Sequence, residues 1–153
     1  MGRRFLIIMG IDPGGTTGIV VLDTDNLEII ASHEFDQDTT VHYLYSTLVE
    51  KWTEYTIDEV GIERYTIAGR TLARSRQTAA LELIGVTRAF CLISGTPMHL
   101  QTPADAKNVW GDERMKEVPI AVRGRHARDA ARHALLLAQR RGTMTKRPDG
   151  RAT

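Results

Sequence analysis

The first third of the chain alternates short apolar runs with turn signals, in blocks too short for helices. Phe5-Leu6-Ile7-Ile8-Met9-Gly10-Ile11 is continuous, apolar and rich in β-branched residues, which predicts a strand buried on both faces. Asp12-Pro13-Gly14-Gly15 ends it, and Thr17-Gly18-Ile19-Val20-Val21-Leu22 resumes the pattern as the second arm of a hairpin. Asp23-Thr24-Asp25-Asn26 is a further turn, and Glu28 to Phe35 a third strand. The period then changes. Val41, Leu44, Tyr45, Leu48, Val49 and Trp52 recur at helical spacing behind a cap at Asp38 or Thr39, predicting a helix to about Trp52.

Ile57 to Glu63 reads as a short fourth strand. A long helix is expected over 71–93, with Ala80, Leu83, Ile84, Thr87, Phe90 and Cys91 on one face and Gly95 and Pro97 ending it. Met98 to Gln101 forms a fifth strand, and Thr102-Pro103 opens a helix that closes near Gly111. Residues 116–125 show no period and read as a mobile loop before a last helix over 124–141. This order predicts an α/β fold: a five-stranded mixed sheet, three antiparallel strands then two parallel, with helices on both faces. One domain over 1–142 and a basic, disordered tail over 143–153 are expected.

Composition narrows the function. The chain has 153 residues and one cysteine, Cys91, which excludes a disulfide framework and a thiolate zinc cluster. No apolar run approaches the ~20 residues that span a bilayer, nor a secretory signal, so a cytoplasmic protein without membrane contact is expected. The net charge of +1 conceals a strong asymmetry. Up to Glu63 there are 3 lysines and arginines against 12 acidic residues; from Arg64 onward there are 17 against 7, and 14 of those 17 are arginines. The planar fork of arginine suits phosphate, which points to nucleic acid; a set of solvated helix faces is the plainer alternative.

The acidic residues that could act on such a partner lie at element ends. Asp12 sits where a buried strand exits into a glycine-rich turn, with Gly14, Gly15 and Gly18 leaving room for a large anionic ligand. Taken alone, Asp-Pro does no more than start a turn. Glu63 ends the fourth strand and emerges beside Asp12 if the first and fourth strands are neighbours. His126 and Asp129, three apart, share a face of the last helix; His133 continues that face and reads as a helix-face histidine rather than a ligand. Three carboxylates and an imidazole suit a hard divalent cation, Mg²⁺ or Mn²⁺.

With these residues in view, the chain resembles the RuvC family of Holliday junction resolvases, in the ribonuclease H-like superfamily. The resemblance rests on Ile11-Asp12-Pro13-Gly14-Gly15-Thr16-Thr17-Gly18, Val60-Gly61-Ile62-Glu63 and His126-Ala127-Arg128-Asp129-Ala130, and it spans Phe5 to Arg141. It implies that Asp12, Glu63, His126 and Asp129 form the metal-binding catalytic set, the third position being Asp or His in that family. It also implies two Mg²⁺ or Mn²⁺ ions per site, no small-molecule cofactor, and cleavage of four-way junctions in recombination and repair. A homodimer through the 71–93 helix, including Gln77, Ala80, Glu82 and Gly85, is implied, and Lys107 in Thr102-Pro103-Ala104-Asp105-Ala106-Lys107 matches a DNA-contacting lysine.

The short, arginine-rich chain is similar to bacteriophage members. Two departures stand out: the aromatic residue often found three positions after the glutamate is Thr66 here, with Tyr65 one earlier, and the 107–116 segment is short. DNA contacts are expected from Arg64, Tyr65, Arg70, Arg74, Arg76, Lys107, Lys116, Arg123 and Arg125. Same-fold nucleases of flaps, RNA–DNA hybrids or ribosomal RNA precursors, and a non-catalytic DNA-binding module, are the alternatives. Asp12 with its glycines is also similar to the first phosphate loop of the actin and sugar-kinase superfamily, but those proteins need a second domain.

Overall fold

The computed structural model describes residues 5–66, 75–118 and 121–144, the first three residues of the second segment by their backbone alone. The elements are β1 (Ile7–Asp12), β2 (Thr16–Asp23), β3 (Glu28–Asp36), α1 (Gln37–Leu44), β4 (Glu59–Glu63), α2 (Ser75–Ser94), β5 (Met98–Gln101), α3 (Pro103–Val109), α4 (Asp112–Met115) and α5 (Arg125–Arg140). They form one five-stranded sheet in the order β3-β2-β1-β4-β5. The β1–β2 and β2–β3 pairs are antiparallel, and the β1–β4 and β4–β5 pairs are parallel. The expected mixed sheet is therefore the one found.

Strand parity divides the core into two layers and decides where the acidic residues point. On one face Ile8, Val20 and Leu22 pack with the alanine and leucine stripe of α5. On the other, Met9, Ile11, Ile19, Val21, Val60 and Ile62 pack with Leu44, Leu48 and Cys91 from the α1 and α2 side. Asp12 and Glu63 follow Ile11 and Ile62 and so turn to the α5 face. Because Ile11 pairs with Ile62 in parallel register, the two carboxylates leave the sheet side by side.

Close contact between α5 and the sheet requires missing side chains on both. A Cβ on Gly10 would lie 2.1 Å from the Ala130 carbonyl oxygen, and one on Gly18 would lie 2.0 Å from that of His126. Ala127, Ala130, Ala131 and Ala134 supply the small residues opposite, all fully buried. Gly18 thus makes room for a helix; the open position near the Asp12 turn is at Gly15, where a Cβ would meet nothing within 4 Å.

Several expected boundaries move. The helix after β3 is capped by Asp36, whose carboxylate accepts from the Thr39 amide at 2.8 Å, and it passes into a π-helical turn over Tyr45–Val49. The helix thus stops short of Trp52, which is 79% exposed instead of packed on the apolar face. The fourth strand begins at Glu59, because the Asp58 carboxylate accepts from the Ile7 amide at 2.8 Å instead of joining the ladder. The short helix α4 was not expected. The expected helix residues 71–74 and the tail 145–153 lie outside the described residues. No described helix is long and apolar enough to cross a membrane.

Candidate active site

The site is built where the C-terminal ends of β1 and β4 meet the first half of α5. The Asp12-Pro13-Gly14-Gly15 turn is pinned by Thr17, whose hydroxyl accepts from the Gly14 amide at 3.2 Å and donates to its carbonyl at 3.1 Å. The start of α5 is fixed from the sheet. Glu34 on β3 accepts from the amides of His126 (2.8 Å) and Ala127 (3.1 Å) through one carboxylate oxygen. A carboxylate at this end of a helix satisfies otherwise unpaired amides and opposes the helix dipole favourably. Gly124, at φ 97°, makes the turn into the helix, and a Cβ there would lie 2.2 Å from a Glu34 oxygen.

Each acidic residue meets a basic residue of α5. His126 Nδ1 lies 2.8 Å from Asp12 Oδ2. His133 Nε2 lies 3.2 Å from Glu63 Oε2, and its Nδ1 lies 2.9 Å from Gln101 Oε1 on β5. Asp129 pairs with Arg132 one turn along the helix. His133 is only 1% exposed and belongs to this site; it is not a free helix-face histidine. Its role was hidden in the sequence because both partners are distant along the chain. Glu34 and Gln101 were missed for the same reason; Thr17 bonds to Gly14 only three residues away and reads in the sequence simply as part of the second strand.

The charges are strongly coupled. Burial is the largest cause that raises the Asp12 carboxyl from its usual 3.8 to about 6, and the neighbouring negative charges of Glu63 and Asp129 push in the same direction. The hydrogen bond and charge of His126 pull it down, but not enough to cancel the rise. Three acidic side chains gathered at one place, with an imidazole beside them, match the preferences of a hard divalent cation. Among the described residues, no three acidic, histidine or cysteine side chains already stand in an ion-holding arrangement, since each carboxylate is engaged by a partner on α5. The donor set fits such an ion; the rotamers would have to release it.

Of the expected DNA contacts, Arg64 follows Glu63 directly and is exposed, with its backbone amide held by the Gln101 carbonyl at 2.6 Å. Tyr65 is half-buried. Lys107 on α3, and Arg123 and Arg125 at the head of α5, are exposed. Lys116 is exposed and paired with Glu113 at 2.7 Å. Arg70 and Arg74, and the side chains of Arg76 and Gln77, lie outside the described residues. Of the helix positions expected to face a partner copy, Ala80 is buried within its own chain, while Glu82 reaches Gln37 and Gly85 is exposed.

A five-stranded mixed sheet with one helix lying across β1, β2 and β4 is the ribonuclease H-like α/β fold. Comparison with known proteins agrees. The RuvC of Thermus thermophilus in complex with a Holliday junction substrate matches with a TM-score of 0.68 at 16% identity, covering 90% of this chain and 97% of that one. A second Thermus thermophilus RuvC structure matches with a TM-score of 0.60 at 17% identity, covering 90% and 98%. No protein-family model and no curated protein sequence matches the chain.

Proposed function

We propose that the chain is a divalent-metal-dependent DNA endonuclease that cuts four-way junctions. The convergence of Asp12, Glu63, Asp129 and His126 at the carboxyl ends of two adjacent parallel strands carries this reading. The fold shared with a RuvC seen on a Holliday junction supports the substrate. The exposed cations Arg64, Lys107, Lys116, Arg123 and Arg125 supply a phosphate-binding surface.

In this reading Asp12, Glu63, Asp129 and His126 hold Mg²⁺ or Mn²⁺, two ions per site. When bound, such ions activate water and offset the charge of a phosphodiester being cut. The protein's own part is placement. Asp12 and Glu63 are anchored at strand ends, Asp129 and His126 on a helix clamped to the same strands, so the backbone is set and rotamer changes alone would bring the donors to an ion. His126 Nδ1 is also placed to hold or pass a proton at Asp12 Oδ2. The exposed cations orient the backbone and leave base identity unread.

Symmetric cleavage of a junction needs two sites, and a two-fold dimer would supply them. The described part of α2 leaves Leu92 78% and Ile93 68% exposed at its C-terminal end, with Leu81 39% exposed about three turns earlier. That uncovered apolar edge supports α2 as the surface where two copies meet. A bacteriophage source and action in a bacterial cytoplasm complete the reading.

The test is a substrate panel: labelled four-way junction, flap, RNA–DNA hybrid and linear duplex, each with Mg²⁺ and then Mn²⁺. Metal-dependent incision of the junction in preference to the others is expected. Preferential cutting of the flap or hybrid would keep the nuclease and overturn the substrate. Tight binding with no incision of any substrate would overturn the enzyme.

A further inference from the structure

Arg132 has no part in the chemistry or the DNA contacts above, yet its side chain is only 9% exposed. A guanidinium buried that far needs partners for its charge and its donors. It has three, in three directions. Nη1 meets Asp129 Oδ1, Nη2 meets Asp112 Oδ1, and Nε donates to the Trp110 carbonyl at 3.0 Å. Asp129 is nearly buried, whereas the Asp112 side chain, on α4, is 76% exposed. Arg114 secures the same segment: its Nη1 donates to the Val109 carbonyl at 2.9 Å, and its guanidinium lies 4.1 Å over the Trp110 ring. Residues 109–114 are thus latched to α5 beside a carboxylate of the candidate site.

We propose that Arg132 and Asp112 are positioning residues for Asp129. Arg132 is a resident counter-ion on Asp129, and Asp112 shares its charge so that Asp129 stays available to a divalent cation. The inference deepens the proposed function and rests on Asp129 being a metal ligand. A positive charge in contact with a ligand oxygen opposes a cation arriving at the same carboxylate. Where the fork spans two carboxylates, that opposition is divided between them. Without Asp112 the guanidinium bears on Asp129 alone, and the site also loses one nearby negative charge. Both effects weaken divalent-ion binding.

Asp112 is the exposed end of its pair, on a four-residue helix, and Arg132 keeps Asp129 and the Trp110 carbonyl without it, so loss of Asp112 would ordinarily cost little in folding. The experiment is calorimetric titration of Mn²⁺ into the full-length chain without DNA, comparing wild type, Asp112→Asn, Asp112→Glu and Asp129→Asn. Asp112→Asn is expected to weaken Mn²⁺ binding about tenfold, the lower end of the range for an outer-shell partner, with an unchanged thermal melt. Asp112→Glu restores the affinity, and in single-turnover cleavage Asp112→Asn lowers the rate without weakening junction binding. Wild-type Mn²⁺ affinity in Asp112→Asn overturns the proposal. Failure of the underlying reading looks different: Asp129→Asn would then bind Mn²⁺ as tightly as wild type.

Discussion

Asp12 is a carboxylate that the fold holds ionised at neutral pH against the pull of burial and of two neighbouring negative charges. Its carboxyl, at about 6 in the folded chain against 3.8 ordinarily, binds a proton more tightly folded than unfolded. The folded state is therefore least burdened below pH ~4, and stability falls as pH rises toward 6. Above that the ionised group costs roughly 3 kcal/mol. Asp12→Asn should accordingly be more stable than wild type by about 2–3 kcal/mol at pH 7 in metal-free urea unfolding. The gap should close near pH 4. A gap of equal size at both pH values would show that ionisation is not its cause. An ionised carboxylate held at such a cost is one that a bound cation would stabilise.

At the scale of elements, the site depends on how closely α5 lies on the sheet and on what fixes its first turn. Gly18→Ala places a Cβ inside the His126 carbonyl, which can yield only by lifting the backbone. A loss of at least about 2 kcal/mol is expected in denaturant unfolding; a wild-type midpoint would mean that the helix has slack. Glu34→Gln keeps the shape of the cap and removes its charge. It should cost about 1 kcal/mol, and an unchanged midpoint would show that the cap carries no weight. These elements were unequally legible in the sequence. The strands and their order followed from apolar blocks and turn residues, and parity alone turns Asp12 and Glu63 to one face once β1 and β4 are neighbours. The partners of Glu34 and His133, and Asp112 and Trp110 as partners of Arg132, could not be read, because those contacts join residues that only the fold brings together; the Asp129–Arg132 pair alone is local to one helix. The π-helical turn at Tyr45–Val49 was hidden by a different cause: its apolar spacing over one turn still matches an α-helix.

Across the whole molecule, acidic residues concentrate in the first part of the chain and arginines in the rest. Folding gathers carboxylates of both parts at the strand ends, with Arg64 following Glu63 and Arg123 and Arg125 at the start of α5. Junction affinity should fall linearly in log salt, and reversing Arg123 and Arg125 together should reduce that slope by about two; an unchanged slope would remove them from the DNA surface. Ile93→Asp, at an exposed apolar position on α2, should convert a dimer into monomers in light scattering, and a monomeric wild type would contradict the paired-site reading. The central claim is that one carboxylate cluster cuts DNA. Its most direct measurement is cleavage and binding of a labelled four-way junction in Mg²⁺ by wild type and Asp12→Asn, side by side. Paired, symmetric nicks by wild type, abolished in Asp12→Asn while junction binding persists, are predicted. Cleavage that survives in Asp12→Asn would contradict the account.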